Sequence, residues 1–180
     1  MNMDTNSNAV MSDCGKYRYR LSRKWSNAKP CLFIMLNPSK ADAVEDDPTI
    51  RRCINFAKSW GCGELIVVNL FSVRATDPQD MMKADDPVGP ENMRYVKEAA
   101  DYVERGHPCQ PNMKGIVVCA WGAHGTYMNQ AETVLGWLDD AAVTPMALLL
   151  TKNDQPRHPL YLKSSLEPAP LYSFGALREA

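Results

Sequence analysis

Cys31-Leu32-Phe33-Ile34-Met35-Leu36 is an unbroken apolar run that stops at Asn37-Pro38-Ser39-Lys40. Six apolar residues without alternation fit a strand covered on both faces, as in a parallel sheet held between helices. The same punctuation recurs down the chain. Leu65-Ile66-Val67-Val68 runs into Asn69-Leu70-Phe71-Ser72-Val73-Arg74, and Ile116-Val117-Val118-Cys119-Ala120 into Trp121-Gly122-Ala123-His124-Gly125. Met146 to Leu150 is a fourth run, followed by a loop with Asn153, Asp154, Arg157, His158 and Pro159.

Between these runs the apolar period becomes that of a helix. Asp47-Pro48 offers an N-cap and a proline at the first helical position, Ile50, Ile54 and Ala57 follow at helical spacing, and Gly61 ends the pattern. Pro90-Glu91 opens a second helix with Met93, Val96, Ala100 and Val103 on one face. A third, near Thr126 to Leu138, aligns Met128, Ala131, Leu135 and Leu138. Alternating strands and helices predict an α/β fold, a three-layer α/β/α sandwich with a central, mainly parallel sheet and right-handed crossovers. Tyr17-Arg18-Tyr19-Arg20-Leu21 alternates, which predicts a further strand with one aromatic and one basic face. Residues 1–15 show no periodicity and are expected to form a flexible N-terminal tail, leaving 16–180 as a single α/β domain.

Composition bounds the function. The 180 residues are 45% hydrophobic and 23% charged, enough for one packed core and too apolar for a disordered chain. Twenty Lys+Arg against 21 Asp+Glu give a net charge of −1, so any nucleic-acid contact must use a local patch. Cys14, Cys31, Cys53, Cys62, Cys109 and Cys119 include no C-x-x-C pair, and His107, His124 and His158 do not fall at metal-ligand spacing with them. Buried thiols in a reducing cytosol are expected, with no metal and no cofactor. Met1 to Val10 is polar, without the apolar core of a signal peptide, and no run reaches the roughly 18 apolar residues of a membrane span. A soluble, cytoplasmic protein is expected.

In an open parallel sheet, ligands bind beyond the carboxyl ends of the strands. The four loops that leave the four strands would therefore face one crevice. Each has an ordinary reading: Asn-Pro-Ser as a turn, Asn69 as a strand-end cap, Gly122 and Gly125 as turn glycines, His158 as a surface loop residue. Polar groups at all four strand ends together read as a site.

The stretches Asn37-Pro38-Ser39-Lys40-Ala41-Asp42, Asp47-Pro48-Thr49-Ile50-Arg51-Arg52, Asn69 to Pro78 and Arg157-His158-Pro159-Leu160-Tyr161 resemble a bacterial and phage family known as a domain of unknown function, over roughly Tyr17 to Leu166. The same four loops are similar, in order, to the signature elements of the uracil-DNA glycosylase superfamily. Leu36-Asn37-Pro38-Ser39 resembles the motif in which an Asn before Pro positions the attacking water. Val67-Val68-Asn69 resembles the strand whose terminal Asn reads the flipped base. Val118 to Ala123, with Trp121 and Gly122, resembles the strand-Trp-Gly turn, and Arg157-His158-Pro159-Leu160 the motif whose His supports the leaving base. The resemblance implies a hydrolase acting on an N-glycosidic bond, a DNA glycosylase-like enzyme with Asn37 and His158 catalytic. The alternative is a non-catalytic nucleic-acid or nucleotide-binding module on the same fold.

The residue types suit that chemistry. Breaking an N-glycosidic bond builds positive charge on the sugar and negative charge on the base, so a site needs an oriented water and a donor. Asn37 can only orient water, His158 can donate, and the Asn69 amide offers a donor and an acceptor to a base edge. Ser39, Lys40 and the backbone N–H groups after Pro38 are expected to hold a phosphate, and Pro38, Phe71, Trp121, Gly122 and Arg157 to line the substrate. A base-stacking ring is missing between Ala43 and Arg52, which hold Glu45, Asp46 and Asp47 instead. These acids would repel phosphate unless turned away or bound to a cation, and helix N-terminal charge is their plain reading. Asp42 or Asp46 supports a second mechanism, as base or nucleophile at the anomeric carbon.

The expected partner is DNA, single-stranded or with a flipped base, or else a nucleotide. Arg18 and Arg20, interleaved with Tyr17 and Tyr19, fit phosphate contact and stacking, or equally an edge strand with a solvated basic face. Arg51, Arg52, Arg74 and Arg157 lie nearer the crevice.

Overall fold

The computed structural model describes residues 6–39, 41, 44–106 and 113–173. Its centre is the quoted run: β3 (Pro30–Met35) is buried at every position. On one side it pairs in parallel with β4 (Glu64–Asn69), on the other with β5 (Ile116–Cys119), and β5 pairs in parallel with the two-residue β6 (Met146–Ala147). Three antiparallel pairings complete a seven-stranded sheet. β1 (Asn6–Met11) pairs with β2 (Arg18–Lys24), β2 with β4, and β6 with β7 (Ala169–Pro170), in the order β1-β2-β4-β3-β5-β6-β7.

The expected mainly parallel sheet is therefore mixed. Its four middle strands are parallel and its margins antiparallel. The expectation failed at the margins because strands there are short or polar: Asn6-Ser7-Asn8 has no apolar face to read. The tail expected over 1–15 is corrected for the same reason, since residues 6–11 are a strand and Ser12 and Gly15 close a turn back onto Tyr17.

Alternate residues of the middle strands feed two cores. Cys31, Phe33, Met35, Leu65, Val67 and Val118 pack with Ile50, Cys53, Phe56 and Ala57 of α1 (Pro48–Ser59). Leu32, Ile34, Ile66, Val68, Val117 and Cys119 pack on the opposite face. There they meet α3 (Asn92–Arg105) and α4 (Gln130–Asp140), with Met81 of the short α2 (Pro78–Met82). Helices thus cover both faces. The α1 start matches the sequence signals: the Asp47 carboxylate accepts from Ile50 N at 2.8 Å, and Gly61 follows the helix at φ +72°.

Two helical expectations shift. Met93 is exposed, and Asn92 and Ala99 occupy the inward face of α3 instead. Met128 is also exposed, because Ala123–Asn129 is a 3-10 stretch broken by left-handed Met128 and Asn129 (φ +50° and +59°) before α4 starts. Cys31, Cys53, Cys62 and Cys119 are buried free thiols and Cys14 an exposed one; Cys109 lies outside the described residues. Burial pushes the Cys53 and Cys119 thiols far above their ordinary range. Among the described residues no helix is long and apolar enough to cross a membrane.

Candidate active site

Register sets where the strands end. Met35 stands opposite Asn69 and Ile34 opposite Cys119, while Leu70 N donates to Met35 O and Phe71 N to Leu36 O (both 2.9 Å), and Ala120 N to Ile34 O at 2.8 Å. The chain therefore leaves three adjacent strands at one level. There it walls a cavity of about 540 Å³, within the usual 300–1,000 Å³ of small-molecule sites. Asn37, Ser39, Asn69, Trp121, Gly122 and His158 all line it, so loops from the whole row of parallel strands meet there.

Asn37 is held by its amide protons. Nδ2 donates to Ala75 O at 2.7 Å and to Pro38 O at 3.1 Å. Both partners are carbonyls, which fixes the amide orientation and leaves Oδ1 as the end that can accept. Asn69, only 1% exposed, is the opposite case: its Nδ2 is buried without a hydrogen-bond partner. A buried unsatisfied donor on a cavity wall costs stability and calls for a partner from outside the chain.

His158 is exposed at the rim. Its Nδ1 accepts from Leu160 N at 3.4 Å, which assigns the ring proton to Nε2. Loss of hydration pushes the imidazole pKa below its ordinary value, while the nearby Asp47 carboxylate pulls the other way. In that tautomer the ring carries one N–H donor, at Nε2. Behind it, Gly122 adopts φ +75° and donates to Pro156 O at 2.8 Å, joining the β5 turn to the His158 segment. Trp121 is buried, its Nε1 donating to Gln155 Oε1 at 2.9 Å. Gly125 lets the chain pass over that indole, since a Cβ there would lie 2.0 Å from Trp121 Cδ1.

Other expected site residues fall elsewhere. Lys40 and Asp42 lie outside the described residues. Pro38 is buried and does not line the cavity, though its carbonyl holds Asn37 and Ala75 N. Phe71 is fully buried against Tyr127 in the core, so it is not a substrate contact. Arg157, Arg51 and Arg74 are exposed outside the cavity wall. Arg52, half-buried, reaches Leu162 O and lies over the Phe56 ring at 4.7 Å, so this guanidinium braces the His158 segment against α1.

The basic face expected on β2 is split. Between Val10 and Met11 the pairing slips, so Met11 stands opposite Arg18 and Val10 opposite Arg20. This bulge inserts Tyr19 as an extra residue and reverses the pleat. Arg18 therefore sits on the cavity wall, 3% exposed, with Nη1 on Ala41 O, while Arg20 acts on Tyr102 of α3. Nor is β2 an edge, because β1 covers it.

The acidic stretch is also accounted for. Asp46 pairs with buried Arg23 (Nη2 to Oδ1, 2.8 Å), and Asp47 caps α1. Among the described residues no group of three His, Cys, Asp or Glu is placed to hold a metal ion. Asp47, Thr49, Ala75, Thr76 and His124 line the cavity without having been singled out as site residues. Asp47, Thr49, Ala75 and Thr76 lie inside the quoted motifs and His124 in the quoted loop after the third strand, and Asp47 also carries the helix-cap signal.

The family model for the protein of unknown function DUF1643 matches residues 18–160, and the chain belongs to that family. No curated protein matches the chain, and no solved structure does.

Proposed function

We propose that the protein hydrolyses an N-glycosidic bond, excising a base from DNA or a nucleotide. The observation that carries this reading is the pairing of unspent groups in one cavity. Asn37 offers only an acceptor, which suits a water aimed at the sugar, and a neutral His158 offers only a donor, which suits a base oxygen gaining charge. The unpaired Asn69 amide on the same cavity wall suits the hydrogen-bonding edge of a base. The likeness to uracil-DNA glycosylase motifs assigns the same three roles.

A second reading, a nucleotide-binding module without turnover, draws on the surface. Arg18 is inside and Arg52 is spent on Leu162, so two arginines expected to grip a DNA backbone are not on offer. The deciding experiment incubates the protein with single-stranded and duplex DNA carrying natural, deaminated and hypermodified bases, and with the free nucleotides. Release of a base, seen by mass spectrometry, supports the hydrolase. Binding without release from any of them supports the module.

A further inference from the structure

Asn92 stands at the first position of α3, 3% exposed, on the opposite face of the sheet from α1. Its Nδ2 donates to two successive carbonyls, Asn69 O and Leu70 O, both at 3.0 Å. Its Oδ1 is buried with no hydrogen-bond partner. Thus two buried side-chain polar atoms without a hydrogen-bond partner, Asn69 Nδ2 and Asn92 Oδ1, flank one strand end.

The segment that delivers Asn92 is fixed along the same strand exit. Ser72 N and Oγ donate to Val88 O (3.2 and 2.6 Å), Val73 N donates to Pro87 O at 3.2 Å, and Asn92 N donates to Gly89 O at 3.3 Å. Gly89, at φ +83°, comes so close that a Cβ would lie 2.2 Å from Ser72 Oγ. An Asn at a core-facing helix position that leaves its own oxygen unpaired is a poor choice for stability alone. Its value lies in what it denies its neighbour. A free Asn amide at a strand end turns readily onto nearby backbone carbonyls, and here those carbonyls are already engaged.

We infer that Asn92 is a positioning residue for Asn69: by holding Asn69 O and Leu70 O it fixes the strand end and leaves the Asn69 amide on the cavity wall without an internal partner. The inference rests on the reading of Asn69 as the group that meets the ligand.

The test uses the full chain labelled with 15N-asparagine, with the Asn69 side-chain signals identified by their loss in Asn69→Ala. In Asn92→Ala the Asn69 NδH2 signals should shift and exchange more slowly with water, because the amide turns onto the vacated carbonyls. Asn92→Ser, which keeps one donor, should give an intermediate shift. For an oligonucleotide whose base the wild type releases, KM in Asn92→Ala should rise by about tenfold or more, a larger factor than any fall in kcat. A folded Asn92→Ala protein with unmoved Asn69 signals would overturn the inference. So would loss of folding in both variants, which would make Asn92 purely architectural. If the wild type releases no base, the hydrolase reading falls while the amide signals still decide the role of Asn92.

Discussion

The exits of β3 and β4 are built around an asparagine at neighbouring strand ends, yet the two amides are used in opposite ways. Asn37 spends both amide protons inside the chain, on Pro38 O and Ala75 O, and faces the cavity as an acceptor. Asn69 spends none of its amide protons and is held through its backbone carbonyl by Asn92. One residue type at two adjacent strand exits of one sheet thus gives a fixed acceptor and an uncommitted amide. The partner contacts, not the residue type, assign the chemistry.

The largest effect expected from this contrast is on rate. Asn37→Ala removes the acceptor and His158→Ala the Nε2–H donor, and each should slow base release by about two orders of magnitude or more, as loss of one aligned polar group does elsewhere. Single-turnover assays on the released base measure it. A fall of only a few-fold in both would break the assignment of water and leaving-group roles.

Stability should separate the two asparagines next. Asn37→Ala loses two hydrogen bonds and leaves Ala75 O without its side-chain donor, while Pro38 O keeps Ala75 N, so it should destabilise the fold by about 1–2 kcal/mol. Asn69→Ala removes a buried donor that has no partner, so stability should hold or rise by up to about 1 kcal/mol while recognition is lost. Urea midpoints at constant m-value report both. Equal destabilisation would mean that Asn69 has an internal partner after all, and the contrast would collapse.

Much of this arrangement was legible because β3, β4 and β5 are buried on both faces and so read as unbroken apolar runs ending in polar motifs. Strand ends in a parallel sheet then bring Asn37, Asn69, Trp121 and Gly122 to one place by topology alone. His158 was legible through its motif, since the strand before it is only Met146–Ala147. The basic patch failed for a reason no period reveals: a one-residue bulge at Tyr19 sends Arg18 and Arg20 to opposite faces. Phe71 failed because a residue two positions past a strand end can return to the core, where it meets Tyr127. Asn92 carries a sequence signal of its own. It shares the helical phase of Val96, Ala99 and Val103, and a polar residue in a buried stripe needs a partner.

The smallest effect concerns the acid that ties the two sides of the cavity together. Asp47 caps α1 and also faces His158, where its carboxylate favours the imidazolium against the loss of hydration that disfavours it. Asp47→Asn keeps a good N-cap and removes the charge, so the His158 pKa should fall further below its ordinary value. Because the folded-state pKa is depressed, the unfolded chain binds the proton more readily. The stability linked to His158 is therefore full above the ordinary value near 6.5 and is lost as pH falls through the folded value. In Asp47→Asn that window should extend to lower pH, and the acid limb of the rate profile should move the same way. Titration of the His158 ring protons by NMR reads the shift directly. An unmoved pKa would show that the Asp47 charge does not reach the ring, and His158 would then act independently of the loop that carries Asn37.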